Sequence, residues 1–376
     1  MNHAHGRPGA ASHAQSGGNI LTPRLHLVAW EITRSCNLKC AHCRASAENG
    51  PYEGELSNAE CRTLVDQITE VGSPILILTG GEPLSRPDVF DIARYGVEKG
   101  LRVVMGTNGT LITPEIAREM AEVPISRIAI SLDFPDAGLQ DRFRGEKGAF
   151  EAAMTGIRNA QAAGVEIQIN STITKMNAHL IDDLVNLALE VNAASFHPFL
   201  LVPTGRGADL SDVELTPEEY EKTLNLIYDK QQALAGRMTF KPTDVPHYMR
   251  VVKQRQAQEK AAGAAPAGAM ERMTRGCLAG TGFCFVSHTG IVQGCGYLTV
   301  PAGDVRQQTF GQIWNDSPVF TNLRNLDNIK GKCGACEYKR ICGGCRARAY
   351  EATGDYLEAE PYCVYQPQAC RTVDVE

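Results

Sequence analysis

Between Leu25 and Ala235 the chain alternates short apolar runs with longer stretches whose apolar residues recur every three or four positions. The first pattern reads as buried strand and the second as amphipathic helix. It predicts strands at His26–Thr33, Ile75–Thr79, Arg102–Gly106, Arg127–Asp133, Glu166–Thr172 and Ser195–Val202. The helices between them are Asn58–Val71, Asp88–Lys99, Pro114–Glu122, Ala149–Ala163 and His179–Asn192. Ser57 with Glu60 three residues on, and Thr113 before Pro114, are start signals. Gly100 and Gly164 follow helical runs as stops. Such alternation implies parallel strands joined by right-handed crossovers. Six units occupy about 210 residues, where a closed eight-unit barrel takes about 250. The expected fold class is therefore α/β, an open partial (β/α)6 barrel with ligands at the carboxyl ends of its strands.

A further helical pattern, Thr216–Leu234, leads away from the barrel. Val245–Gln258 follows, then an Ala-rich stretch with Gly263, Pro266 and Gly268, the composition of a linker. The expected organisation is a disordered His- and Gly-containing leader at 1–24 (with His3, His5 and His13), a barrel at 25–235, a helical linker at 236–270 and a cysteine-rich domain at 271–376.

Composition narrows the function classes. A chain of 376 residues with 43% hydrophobic content has room for two domains. No apolar run approaches the ~18 residues of a membrane span, and a net charge of −6 gives no reason to expect nucleic acid. Nine of the thirteen cysteines lie between Cys277 and Cys370. With no export signal in view, such clustering points to metal centres in an oxygen-poor cytoplasm rather than to disulfides.

The chemistry starts at Cys36-x3-Cys40-x2-Cys43, just after the first strand. Three thiolates this close suit an iron–sulfur cubane with one iron left open, whereas four-cysteine patterns fill every iron. Zinc is the competing reading, with His42 as a fourth ligand. Gly80-Gly81-Glu82-Pro83 follows the second strand, where glycine lets backbone approach a ligand. Cys333-x2-Cys336-x5-Cys342-x2-Cys345, with Cys277, Cys284, Cys295 and Cys363, forms a second field that zinc or iron–sulfur clusters would suit. Cys61 reads as a core residue and Cys370 as an unused thiol, with a substitute ligand as the alternative for Cys370.

The cysteine triad joined to Gly80-Gly81-Glu82-Pro83 resembles the signature of the radical S-adenosylmethionine (SAM) superfamily. The resemblance implies a TIM-like partial barrel and a [4Fe-4S] cluster on Cys36, Cys40 and Cys43. Its open iron would chelate SAM, and one electron would release a 5′-deoxyadenosyl radical. It also implies cofactor contacts from Gly80, Gly81, Glu82 and Pro83, from Thr107 and Asn108, from Ser131 and Asp133, and from Asn170. For the last three groups turn chemistry is the competing reading.

The second field resembles the SPASM extension, which carries one or two auxiliary clusters of [4Fe-4S] type. Carried over, the first would use Cys277, Cys284, Cys295 and Cys345, and the second Cys333, Cys336, Cys342 and Cys363. Cys342 and Cys345 are separated by two residues where the family has three between them, a departure that bears on the first cluster. Segments 196–207 and 342–350, with Thr353-Gly354-Asp355 and Pro361-Tyr362-Cys363, resemble the radical enzymes that modify iron-tetrapyrrole side chains. The haem-forming branch is the best match. It implies oxidative decarboxylation of two propionates of iron-coproporphyrin III to vinyl groups, giving haem b, with flavodoxin or ferredoxin as reductant.

A tetracarboxylate macrocycle calls for cationic donors. Arg144, Arg206, Arg346 and Arg348 are the candidates, with His197, His247 and Tyr248 as proton, iron or hydrogen-bond partners. Two enzymatic alternatives stay open: a sibling acting on didecarboxysiroheme or in haem d1 synthesis, and a peptide or sulfatase maturase. A non-enzymatic electron carrier would leave the open iron unexplained.

Overall fold

The alternating pattern becomes a parallel sheet with helices packed on one face. The computed structural model describes residues 18–263 and 275–370. The first half runs β1 (Leu27–Thr33), α1 (Asn58–Val71), β2 (Ile75–Gly80), α2 (Val89–Glu98), β3 (Arg102–Thr107), α3 (Pro114–Glu122) and β4 (Ile128–Ser131). Next come α4 (Ala137–Arg144), α5 (Ala149–Ala162), β5 (Ile167–Ile173), α6 (Ile181–Glu190), β6 (Ser195–Leu200), α7 (Pro217–Ala233), β7 (Thr239–Phe240) and α8 (Tyr248–Ala261). The C-terminal part holds β8 (Phe283–Val286), β9 (Ile291–Cys295), β10 (Leu298–Asp304), α9 (Phe310–Asp316), α10 (Pro318–Arg324), α11 (Gly331–Ala335) and α12 (Arg346–Thr353).

Local signals act where the sequence placed them. Ser57 and Glu60 close a reciprocal capping box on α1. Thr113 accepts a hydrogen bond from the Ile116 amide, with Pro114 in the first turn of α3. Both devices satisfy amides that a helix start leaves without partners.

The strands form one ten-stranded sheet in the order β10-β9-β8-β1-β2-β3-β4-β5-β6-β7. β1 to β7 are parallel neighbours, as the crossover reading requires. Val28, Trp30, Leu76, Leu78, Val103, Met105, Ile128, Ile130, Ile167, Ile169 and Phe196 share one core with Leu64, Ile68, Ile92, Ile157 and Leu184 of the helices. Because side chains alternate across a strand, Glu31, Thr79, Gly106, Ser131, Asn170 and His197 face the opposite, concave side.

Four features depart from the sequence reading. The C-terminal cysteine-rich segment extends the barrel sheet itself, because β8 pairs in parallel with β1. The segment 236–270 supplies a strand, β7, as well as a helix; residues 264–270 lie outside the described ones. Helix α4 was missed, although Asp136 caps it through the Leu139 amide at 2.8 Å and Gly145 ends it in the left-handed region.

The leader's last residues are ordered. Ile20 bridges Asn325, and the Leu21 and Arg24 amides donate to the carbonyls of Arg324 and Thr281 at 2.8 and 2.9 Å. Those bonds occupy backbone groups that a loose tail would give to water. His3, His5 and His13 lie outside the described residues.

Trp30 is completely buried at the centre of β1, between the barrel and its C-terminal extension. Trp30→Ala is expected to cost about 3–5 kcal/mol of unfolding free energy, read from the midpoint shift in urea denaturation.

Candidate functional site

The loop after β1 carries Cys36, Cys40 and Cys43 at the carboxyl end of the sheet, and three separate segments clasp it. The end of β2 zips onto its first residues: the Gly81 amide donates to Thr33 O at 2.9 Å and the Glu82 amide to Ser35 O at 2.8 Å. A Cβ on Gly81 would collide with the carbonyls of Arg34 and Ser35, so this glycine serves the close approach of two backbones. From the other side, Gly205 (φ +56°) sits against the Cys43 and Arg44 carbonyls, and the Arg206 amide donates to Cys43 O at 3.0 Å. The Ala41 amide reaches Phe143 O of α4 at 2.9 Å.

The thiols are gathered and partly hydrogen-bonded. The Leu38 amide donates to Cys36 Sγ at 3.4 Å and the Ala47 amide to Cys43 Sγ at 3.3 Å. Arg144 Nη1 lies 3.7 Å from Cys40 Sγ. Burial, with Glu82, Cys40 and Cys43 nearby, pushes the Cys36 thiol up to about 12 against the pull of the Leu38 amide. A trio of crowded, buried thiols becomes favourable as thiolates when iron supplies the opposing charge. Backbone amides aimed at sulfur are the usual outer shell of such a cluster. The donor set fits an iron–sulfur cluster. His42 stacks on Phe143 with centroids 4.4 Å apart, and burial holds it down at about 4.

Residues expected at the cofactor do two kinds of work. Glu82 is buried and accepts from Thr107 Oγ1 (2.8 Å), the Asn108 amide (2.7 Å) and the Leu84 amide (3.1 Å). It thereby locks Pro83 and the β2 end onto the end of β3. Burial raises it to about 7 despite those bonds. Asn108 Nδ2 points back to Asn37 at 2.8 Å, within the cluster loop. Asp133 accepts from the Thr172 amide at 2.7 Å and pairs with Arg144 at 2.5 Å. Ser131 and Asn170 lie half-buried on the concave face, where Asn170 Oδ1 accepts from Gln168 at 2.8 Å.

The substrate set needs most correction. Arg144 is spent on Asp133 and Cys40. Arg206 donates to Cys40 O (2.8 Å) and Ala47 O (2.9 Å), which makes it a brace of the cluster loop. Arg346 holds the carbonyls of Tyr356 and Glu358. Arg348, fully buried, binds the carbonyls of Leu200, Leu201 and Asp244. Tyr248 donates to Gln231 inside the core at 2.6 Å. These guanidinium groups bind protein carbonyls, a carboxylate or a thiol, with Arg144 Nε, Arg206 Nη2 and Arg346 Nη2 left without a partner among the described residues.

His197 alone of the set faces the concave side, 3.0 Å from Gln168 and held near 3 by burial with Lys241 and Arg127. Lys241, just past β7, was missed; its signal is only a lone cation after Thr239-Phe240. Burial lowers it, with Asp244 opposing.

In the C-terminal part, Cys333, Cys336, Cys342 and Cys363 line one cleft of about 410 Å³, open in part to solvent. The Glu360 amide donates to Cys333 Sγ (3.3 Å) and the Gly344 amide to Cys342 Sγ (3.4 Å). His247 and Arg250 line the same cleft, and neither His247 ring nitrogen nor Arg250 Nε has a partner among the described residues. Buried N–H groups are rarely left unpaired, and sulfur acceptors in the cleft would complete them. His247 therefore belongs beside these cysteines and away from the concave face.

The first auxiliary set is divided. Cys295 is pushed well up by burial, then by Cys345, Asp244 and Cys277, so these thiols share one neighbourhood. Cys284 stands apart. It lies opposite Val28 in the β1–β8 register and so faces the helix side, where burial raises it and Arg324 is the charge opposing that shift. Among the described residues no three His, Cys, Asp or Glu side chains converge at single-ion distances.

Residues 30–191 match the family model described as the radical SAM superfamily, and residues 277–346 match the SPASM iron–sulfur cluster-binding domain. The chain is 49% identical to the AdoMet-dependent heme synthase of Nitratidesulfovibrio vulgaris, covering 92% of this chain and 94% of that one. It is 48% identical to the AdoMet-dependent heme synthase of Methanosarcina barkeri, covering 92% and 98%. The chain belongs to the radical SAM superfamily.

The radical SAM fold is also that of Streptococcus suis SuiB bound to S-adenosylmethionine, with a TM-score of 0.71 at 18% identity over 94% of this chain and 79% of that one. Radical SAM proteins use S-adenosylmethionine and a [4Fe-4S] cluster, and the SPASM domain binds auxiliary iron–sulfur clusters. No described helix is long and apolar enough to cross a membrane.

One carboxylate ties this radical SAM barrel to its SPASM extension. Glu31 of β1, fully buried, pairs with Arg44 of the cluster loop at 2.5 Å and with His288 after β8 at 2.6 Å. Burial works against its ionisation, but His288, Arg44 and Arg34 prevail and hold it at about 2, from 4.5. A depressed carboxylate stabilises the fold above its unfolded value, and that stability disappears as pH falls from 4.5 towards 2. Glu31→Gln is expected to cost about 3 kcal/mol near neutral pH and to flatten the acid limb of unfolding in that window. His247→Phe is expected to shift an auxiliary cluster to a more negative reduction potential, since hydrogen bonds to sulfur favour the reduced state; an EPR-monitored redox titration reads this.

Proposed function

We propose that the protein converts two propionate side chains of iron-coproporphyrin III to vinyl groups, forming haem b. Near-full-length identity of 48–49% to AdoMet-dependent heme synthases carries the reading. Cys36, Cys40 and Cys43 would hold the cluster that, with SAM, supplies a 5′-deoxyadenosyl radical to remove a hydrogen from the propionate β-carbon. Loss of CO2 and one electron then leaves the vinyl group, so each propionate is oxidised.

This chain's residues do the positioning. Gly81, Gly205, Arg144 and Arg206 hold the cysteine loop at the mouth of the sheet. Ser131, Asn170 and His197 present polar groups along the concave face, and Lys241 near its far edge is the cation best placed for a carboxylate. Neutral His197 suits hydrogen bonding or ligation of the porphyrin iron. Cys333, Cys336, Cys342 and Cys363 would hold an auxiliary cluster able to take up the electron. A flavodoxin or ferredoxin of the cytoplasm is the reductant this chemistry calls for.

The test is anaerobic turnover with reconstituted clusters, dithionite, SAM and iron-coproporphyrin III, followed by mass. Haem b through a monovinyl intermediate, with two SAM cleaved per haem, is the expected result. Release of 5′-deoxyadenosine with the porphyrin unchanged would refute the substrate while leaving the radical chemistry in place. Lys241→Met is expected to raise KM for the porphyrin at least tenfold while leaving uncoupled SAM cleavage intact.

A further inference from the structure

The first auxiliary site has three thiols in one neighbourhood and lacks a fourth, since Cys284 faces the other side of the sheet. A carboxylate occupies the same neighbourhood. Asp244 leaves the sheet just beyond Thr243, which still pairs with Phe199 of β6. Its φ is +61°, a left-handed conformation that costs a non-glycine residue energy and tends to persist where a site demands it. Its Oδ2 is sealed from solvent and accepts no hydrogen bond.

The surroundings are built from the segments that carry the cysteines. Arg348, three residues after Cys345, donates to Asp244 O at 2.6 Å. Gly276, next to Cys277, packs so closely on Pro246 that a Cβ there would strike the Pro246 backbone. Arg44 donates to the carbonyl of Gly296, beside Cys295, at 3.2 Å. Asp244 is among the charges acting on both Cys295 and Cys345. Arg348, Lys241 and Arg44 are the cations acting on its carboxylate, yet Oδ2 still has no hydrogen-bond partner among the described residues, and an iron ion of the cluster would supply one.

We propose that Asp244 supplies the fourth ligand, a carboxylate oxygen, to an iron–sulfur cluster held by Cys277, Cys295 and Cys345. The proposal rests on the reading of this domain as a cluster carrier and is independent of the porphyrin as substrate. Three thiolates and one oxygen make a chemically distinct iron, with weaker electron donation than a fourth thiolate would give. Cys284 is a core residue with no part in the cluster.

The experiment uses full-length protein in which Cys36, Cys40 and Cys43 are all alanine, so that the iron counted belongs to the auxiliary sites. After anaerobic reconstitution, iron and sulfide per chain, EPR and Mössbauer spectra are compared for this parent and for further Asp244→Ala, Asp244→Cys, Cys277→Ala and Cys284→Ala changes. Asp244→Ala is expected to lose one iron and show a three-iron EPR signal. Asp244→Cys should restore the full iron count with the distinct Mössbauer component gone, and Cys284→Ala should match the parent. The proposal would be overturned by an unchanged spectrum and iron count in Asp244→Ala, or by loss of iron in Cys284→Ala. Iron unaffected by Cys277→Ala would also overturn it, by removing the cluster itself. None of these readouts depends on porphyrin turnover, so failure here stays separate from failure of the proposed reaction.

Discussion

A single buried carboxylate, Glu31, couples the two halves of the molecule. It lies on the central strand, receives Arg44 from the cysteine loop and His288 from the C-terminal extension, and has no access to water. A charge so placed is tolerable only while its partners stay put, so the position of the loop and the docking of the extension are set together. Arg44 spreads the constraint further: it stacks on Phe285 of β8 at 4.5 Å and bonds Gly296 beyond β9. The radical site and the auxiliary cysteines are therefore held in a common frame.

The same economy governs the other buried charges. Arg144, Arg206, Arg346 and Arg348 each satisfy carbonyls, carboxylates or thiols that loops would otherwise leave unpaired. Loops that bring ligands to a cluster cannot form regular ladders, and their backbone groups need side-chain partners. Arginine, with five donors in a fixed fork, serves several at once. On the concave face, Glu31 is paired with Arg44 and His288, and Lys241 and His197 lie farther along it.

Much of the barrel was legible along the chain because its strands are buried on one face and its helices on one stripe. Helices α1 and α3 begin where Ser57, Glu60, Thr113 and Pro114 place them. The cysteine triad and Gly80-Gly81-Glu82-Pro83 were readable through spacing. Less readable were β7, two residues long and defined only by pairing with β6, and α4, whose cap is a lone Asp136.

What the arginines hold within the fold was not legible along the chain, for a physical reason. Residue type states what a guanidinium can bind, while burial and neighbours decide what it does bind. Cys284 makes the same point: its spacing is that of a ligand, yet the β1–β8 register turns it to the helix side. By itself the sequence determined the six parallel strands of the barrel, most of the helices between them and the iron–sulfur chemistry, because periodicity, caps and thiol spacing are local properties. Only the tertiary structure decided which thiols meet, which cations remain free and how Asp244 comes to lie among cysteines distant in the chain. Those outcomes depend on strand register and on contacts between residues hundreds of positions apart.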